Sequence, residues 1–196
     1  MRELRVDPQP LGVRTDRERQ GRRRTGRTLS GRVSAFAPIL GEAPQVLILG
    51  SLPGVASLAA GQYYAHPRNQ FWDLMGTLVG ASRDLSYEAR CTRLIAAGVA
   101  VWDVLHAAQR PGSLDSRIVA ATAQPNDFGA FLAAQPQLQL IAFNGATAAK
   151  LFARLAAPRL TSAPRQVTLP STSPAHAALT QAQKLGHWRI IAGGLE

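Results

Sequence analysis

Residues 45–54 read QVLILGSLPG: an unbroken apolar run that ends in a turn of glycine, serine and proline. A short apolar run bounded by turn residues is the signature of a strand buried on both faces. Gly50 and Gly54 around Pro53 permit a tight turn whose backbone can approach a ligand closely. GSLPG does not run on into GK[ST] and is not GxGxxG, so a nucleotide-phosphate loop lacks its residues.

Working outward, the apolar spacing alternates. NQFWDLMGTLVG (69–80) sets Phe71, Trp72, Met75, Leu78 and Val79 at helical intervals, with Gly80 as terminator. SYEARCTRLIAAG (86–98) predicts a helix capped by Ser86 and stopped at Gly98. VAVWDVL (99–105) and LQLIAFNG (138–145) read as strands, and RQVTLPSTSPAH (165–176) as a strand entering a Pro/Ser loop. Helices are expected over 124–136, 146–157 and 178–194. Apolar strands alternating with helices imply a parallel sheet covered on both faces. A ligand in such a sheet binds beyond the carboxyl ends of the strands. The polar segments 50–69, 103–117, 144–145 and 169–176 all fall at that edge.

The chain has 196 residues, 46% of them hydrophobic, enough for one domain with its own core, expected over 35–196. Net charge is +10, and +6 of it lies in residues 1–32, where ten arginines face Glu3, Asp7, Asp16 and Glu18. With few large apolar residues and no helical or strand period, residues 1–34 read as a basic, disordered tail. Its arginines suit phosphates in a sequence-blind manner, or form a solvated arm with no specific role. The lone Cys91 leaves no disulfide framework and no cysteine-held zinc or iron–sulfur site, so neither metal nor cofactor is expected. No apolar run approaches the ~18 residues of a membrane span, and a signal-peptide core is missing. A soluble cytoplasmic protein with no membrane partner is expected.

The loop YYAHPRNQFW (63–72) has the content of a pocket for a planar ring, which wants an aromatic face and a few orienting polar atoms. Phe71 offers a stacking face or a core side chain, Tyr63 or Tyr64 a wall, and Asn69 either a donor–acceptor pair or a helix cap. His66, before Pro67, reads as a loop histidine. In LPSTSPAHA (169–177), Ser171, Thr172 and Ser173 stand between two prolines, and hydroxyl donors on a stiff loop suit phosphate oxygens or cap the next helix. Asp103, Arg110, Asp115 and Asn144 lie near the same edge. Lys150 and Lys184 fall in predicted helices away from the loops, which leaves Schiff-base chemistry without a nucleophile.

Together, GSLPGVASLAAGQYYAHPRNQFW, VAVWDVLHAAQRPGSLDSRI, AFNGATAAKLF and LPSTSPAHA resemble, in this order, the uracil-DNA glycosylase superfamily, most closely its hypoxanthine-DNA glycosylase branch (family 6). The resemblance spans roughly residues 40–195. It implies a three-layer α/β/α sandwich on a short, mainly parallel four-stranded sheet, consistent with the alternation above. It implies a monofunctional enzyme, monomeric and without cofactor. Such an enzyme hydrolyses the glycosidic bond of deoxyinosine in double- or single-stranded DNA, in the cytoplasm at the nucleoid. Gly50, Ser51, Leu52, Pro53 and Gly54 then line the base pocket with Tyr64, Asp103 and Asn144. Leu52 stands where uracil and mismatch-thymine enzymes carry a water-activating Asp or Asn, so catalysis passes to Asn69, which positions water. Phe71 stacks on the flipped base, and Ser171, Thr172 and Ser173 hold the DNA backbone. Asn69 or Asn144 binds O6 and N7, and Asp103 accepts from N1–H. Uracil or broad deaminated-base excision is the alternative inside the family. Outside it stand a non-catalytic lesion-binding protein and an unrelated small-molecule hydrolase on a flavodoxin-like fold.

Overall fold

The computed structural model describes residues 31–193. The expected tail lies outside these residues, except for its last few. Arg32–Ser34 form a strand, β1, so the expected boundary at residue 34 falls at the end of an ordered element.

Four parallel strands form the centre: β2 (Val46–Gly50), β3 (Val99–Asp103), β6 (Leu140–Asn144) and β7 (Arg165–Leu169), in the spatial order β3-β2-β6-β7. They match the four apolar runs of the sequence. The register aligns Gly50 with Asp103 and Asn144 with Leu169, so all four strands end at one edge.

The pleat divides the core. Val46 and Ile48 point to a face covered by α2 (Phe71–Val79), α3 (Tyr87–Ala96), α6 (Gln181–Trp188) and α7 (Ile190–Gly193). Leu47 and Leu49 point to the other, where α4 (Phe128–Ala134) and α5 (Ala146–Leu155) supply Phe128 and Phe152. All four β2 side chains are fully buried, as a strand sandwiched between helices requires. The result is the expected three-layer sandwich.

Helix ends follow the sequence chemistry. Ser86 accepts from the Ala89 N–H, and Asp127 caps α4 by accepting from the Ala130 N–H. Thr180 and Gln183 form a reciprocal capping box at α6. α2 begins one residue later than expected, at Phe71, and Gly80 closes it in the left-handed conformation.

Three features differ from the sequence reading. Residues 55–60 form a short helix, α1, inside the segment expected to be loop. The strand read as 99–105 breaks after Asp103, and the chain continues as β4 (Leu105–Gln109) in a second sheet, β1-β4-β5, with β5 being Gln124–Pro125. This small antiparallel sheet packs beside the first turn, where the Val104 and Leu105 amides donate to the carbonyls of Gly50 and Ser51. Lys184 is buried, with its ammonium donating to the His176 carbonyl at 2.9 Å, and so it holds the Pro/Ser loop instead of standing apart from it.

Among the described residues no helix is long and apolar enough to cross a membrane.

Candidate active site

A cavity of about 690 Å³ opens at the carboxyl edge of the parallel sheet. Its wall includes Gly50–Gly54 after β2, Asp103 after β3, Asn144 after β6 and Ser171–Ser173 after β7. Tyr63, Tyr64, His66 and Asn69 close the remaining side. Of the residues expected at the pocket, all but Phe71 reach it.

Phe71 is a correction. Its side chain is fully buried, and the Tyr64 ring lies flat over it, centroids 3.9 Å apart and planes 21° from parallel. Trp72 and Trp188 meet Phe71 edge-on. Phe71 is therefore the backing of the aromatic wall, and Tyr64 is its surface. The backbone explains the exchange. Tyr64 adopts φ 54°, an uncommon left-handed conformation for a bulky residue. The preceding residue is clamped at both ends: the Tyr63 N–H donates to the Tyr87 hydroxyl, and the Tyr63 carbonyl accepts from the Trp72 indole N–H at 2.9 Å. These two bonds hold the turn that lays Tyr64 on Phe71.

Asn69 faces the cavity and also caps locally. Its side-chain carbonyl accepts from the Phe71 N–H at 3.0 Å, and among the described residues its amide NH₂ donates to nothing. Arg83 donates to the Asn69 main-chain carbonyl while its Nε lies 2.9 Å from Asp73 Oδ1 on α2. Asn69 is thus fixed on both sides, with its donor end free.

Asn144 and Thr172 bond to each other at the cavity wall. The Asn144 amide donates to Thr172 Oγ1 at 2.8 Å and accepts from the Thr172 N–H at 2.9 Å. Thr172 is fully buried, and its carbonyl accepts from the Gln70 N–H. One N–H and one carbonyl lone pair of the Asn144 amide are engaged in this pair, which leaves one of each toward the cavity. The pair is an anchor that ties the 169–176 loop to β6 and to the start of α2. Ser171 and Ser173 remain half-buried on the cavity wall. Gly145, at φ 101°, lets Ser171 come so close that a Cβ there would lie 2.9 Å from the Ser171 Cβ.

The GSLPG turn is braced from behind. Arg110 is buried; its guanidinium donates to the carbonyls of Leu52, Pro53 and Gly112. A planar trans peptide points its N–H opposite to its C=O. Drawing the Pro53 carbonyl toward Arg110 therefore turns the Gly54 N–H away from it. Ser51 donates to Asp115 Oδ1 at 2.7 Å, and Asp115 lies 3.7 Å from Arg110. Burial raises Asp115, partly offset by that hydroxyl and by Arg110.

Asp103 forms part of the wall beneath Tyr64. The residue is 3% exposed, and among the described residues Oδ2 has no hydrogen-bond partner. Burial, with the nearby Asp115 charge, pushes its carboxyl up to about 7, against a smaller pull from Arg110. The Tyr64 hydroxyl is also buried; burial followed by the Asp103 charge raises it well above the ordinary phenol range, partly offset by the Asn144 side chain.

The sequence reading missed His66 and His187 as wall residues. A histidine before proline in a loop, and one in a polar helix, carry no local signal of a cavity. Among the described residues no cluster of three or more metal-ligating side chains occurs.

Residues 38–190 match the family described as the uracil DNA glycosylase superfamily. The chain belongs to that superfamily. Within it, the chain is similar to a hypoxanthine DNA glycosylase of Methanosarcina barkeri (strain Fusaro / DSM 804), 38% identical over 111 residues, 56% of this chain and 69% of that protein. A hypoxanthine DNA glycosylase of Methanosarcina acetivorans is 40% identical over the same shares. The fold is similar to a solution NMR structure from Methanosarcina acetivorans of a candidate uracil DNA glycosylase, with TM-score 0.66 and 32% identity, covering 82% of this chain and 98% of that one. That structure and this chain share the mixed α/β fold with the parallel four-stranded sheet described above.

Proposed function

We propose that this DNA glycosylase releases hypoxanthine from deoxyinosine in DNA, as a monofunctional, monomeric enzyme that needs no metal or cofactor. It works in the cytoplasm on nucleoid DNA. The observation that carries the reading is the cavity wall itself: an aromatic slab, Tyr64 on Phe71, adjoins a fixed amide donor, Asn69, and a buried carboxyl, Asp103. The two named relatives, hypoxanthine DNA glycosylases, support the choice of base.

The damaged nucleotide leaves the duplex stack at a cost of a few kcal/mol, least for a weakly paired base. Its ring lies on the open face of Tyr64, and Phe71 keeps that face rigid. Ser171 and Ser173 hold the flanking phosphate, an interaction without sequence information. As the C1′–N9 bond stretches, positive charge grows on the sugar and negative charge on the base. Donors on the wall, the Gly54 N–H among them, stabilise the departing base. Asn69 cannot act as a strong base, because its amide does not titrate usefully. It fixes a water molecule against C1′ by donating from Nδ2, a proximity effect. Leu52, 5% exposed, supplies apolar wall where a water-activating acid would stand. Excision is accordingly slow.

The test is a panel of duplexes, each carrying a single hypoxanthine, xanthine, uracil or undamaged adenine. Hypoxanthine is expected to be released fastest and adenine not at all. Faster release of uracil would replace the proposed substrate, and tight lesion binding without an abasic product would make the protein a sensor.

A further inference from the structure

Asp103 is a charge-bearing group that the mechanism above does not use. Its position is built with some care. A Cβ on residue 50 would lie 2.5 Å from Asp103 Oδ1 and 3.2 Å from the Tyr64 hydroxyl, so Gly50 is what leaves room for the carboxyl on the wall. The charged and titratable groups around it come from three directions. From the segment after β4 come Arg110 and Asp115, from the 63–64 turn come Tyr63 and Tyr64, and the same cavity is also lined by His66, His176 and His187. Arg110 is the cation nearest in sequence, but its hydrogen bonds go to the carbonyls of Leu52, Pro53 and Gly112. Among the described residues no donor reaches Asp103 Oδ2. A buried carboxylate whose Oδ2 lacks a donor, and whose nearby Arg110 is engaged with main-chain carbonyls, is costly, and the group is more stable holding its proton.

We infer that Asp103 acts as a neutral carboxylic acid whose O–H donates a hydrogen bond to the carbonyl oxygen of the extruded base. The inference rests on the hypoxanthine reading above. Its chemistry addresses what deamination changes: an exocyclic amino group, a donor, becomes a carbonyl, an acceptor. A carboxylate at this position can only accept, from the amino group of intact adenine or from N1–H of hypoxanthine, and has nothing to offer O6. A carboxylic acid offers O6 the donor it needs. The same bond strengthens as the reaction proceeds. The C1′–N9 pair of electrons passes to the base and spreads onto O6, while the water oxygen bonds to C1′. The water proton goes to solvent, the released base anion takes a proton from solvent, and Asp103 keeps its own. A carboxylic acid held neutral in an apolar site to donate in this way is established chemistry in other enzymes. The ionisation of Asp103 near pH 7 places the active form on the acid side of neutrality.

The experiment is the single-turnover excision rate of deoxyinosine from a duplex at saturating full-length enzyme, from pH 5.5 to 8.5. Wild type is expected to be fastest at the acid end, falling about tenfold for each pH unit above the Asp103 ionisation. Asp103→Asn keeps a donor and cannot ionise, so its profile is expected to lose this limb. Asp103→Leu is expected to slow excision roughly 10²–10³-fold at low pH, as losing one preorganised donor does. A rate that rises with pH in wild type makes Asp103 an acceptor and overturns the inference. A falling limb that survives in Asp103→Asn assigns it to a histidine and also overturns the inference. In both cases measurable release of hypoxanthine leaves the proposed function standing. No release at any pH removes the function and the inference together.

Discussion

Gly50 and Asp103 lie opposite each other at the last paired position of β2 and β3, where a Cβ on Gly50 would come within 2.5 Å of Asp103 Oδ1. Real Cβ contacts do not approach so closely, and the same Cβ would lie 3.2 Å from the Tyr64 hydroxyl. Gly50→Ala is therefore expected to displace the carboxyl, cost about 1–3 kcal/mol as overpacking does, and lower excision further than that loss of fold accounts for. Urea unfolding and single-turnover kinetics on the same sample check both parts.

Asp103 itself makes the fold less stable at high pH. The folded protein keeps this proton up to about pH 7, whereas the free carboxyl releases it near 3.8. Folding therefore takes up a proton between these values, and its contribution to stability is present below pH 4 and lost as pH rises through 7. Asp103→Asn removes this dependence. The variant is expected to be more stable than wild type above pH 7, by up to roughly 4 kcal/mol, with the gap closing toward pH 4. Denaturation midpoints across pH measure it, and a variant destabilised at pH 8 contradicts it.

Tyr64 and Phe71 are expected to separate in two assays. Tyr64→Ala removes the ring that faces the cavity, and base–aromatic stacking is worth about 1–3 kcal/mol. Lesion binding should weaken by about one to two orders of magnitude. Phe71→Ala empties a core position and should cost about 3–5 kcal/mol of stability. Tyr64→Phe keeps the ring and removes only the buried hydroxyl, so lesion binding should stay close to wild type. Fluorescence-monitored binding and thermal unfolding distinguish the three.

Asn144→Ala leaves the Thr172 hydroxyl and N–H, both buried, without their partner. A loss of about 1–3 kcal/mol per unsatisfied group is expected, together with a looser 169–176 loop. If the pair acts by holding the 169–176 loop, the variant should lose DNA affinity more than chemical rate, whereas a drop confined to the chemical step would make Asn144 a base contact.

The central sheet could be read from the chain because parallel strands covered on both faces carry continuous apolar runs that few other elements share. VLIL at 46–49 has no second interpretation at its length. Caps at Ser86 and stops at Gly80 and Gly98 were equally local. The small sheet was not legible: HAAQ at 106–109 has neither alternation nor β-branched residues, and its pairing with Arg32–Ser34 is a long-range choice. The six residues of α1 lie between glycines, where a single helical turn and a loop read alike. At the site, the sequence brought the right segments to one edge but could not order them in depth. Which of two aromatics seven residues apart faces the cavity depends on the left-handed turn at Tyr64, and that turn depends on Trp72 and Tyr87. The engagement of Asn144 with Thr172, 28 residues apart, leaves no trace in local pattern. Both features depend on packing between segments distant in sequence.

The most direct test of the central claim compares wild type with Asn69→Ala in single-turnover excision on a deoxyinosine duplex, with binding measured in parallel. Wild type should yield free hypoxanthine and an intact strand bearing an abasic site. Asn69→Ala should bind the same duplex nearly as tightly and lose most of the release. Unchanged release by Asn69→Ala, or no release by wild type, would contradict the account.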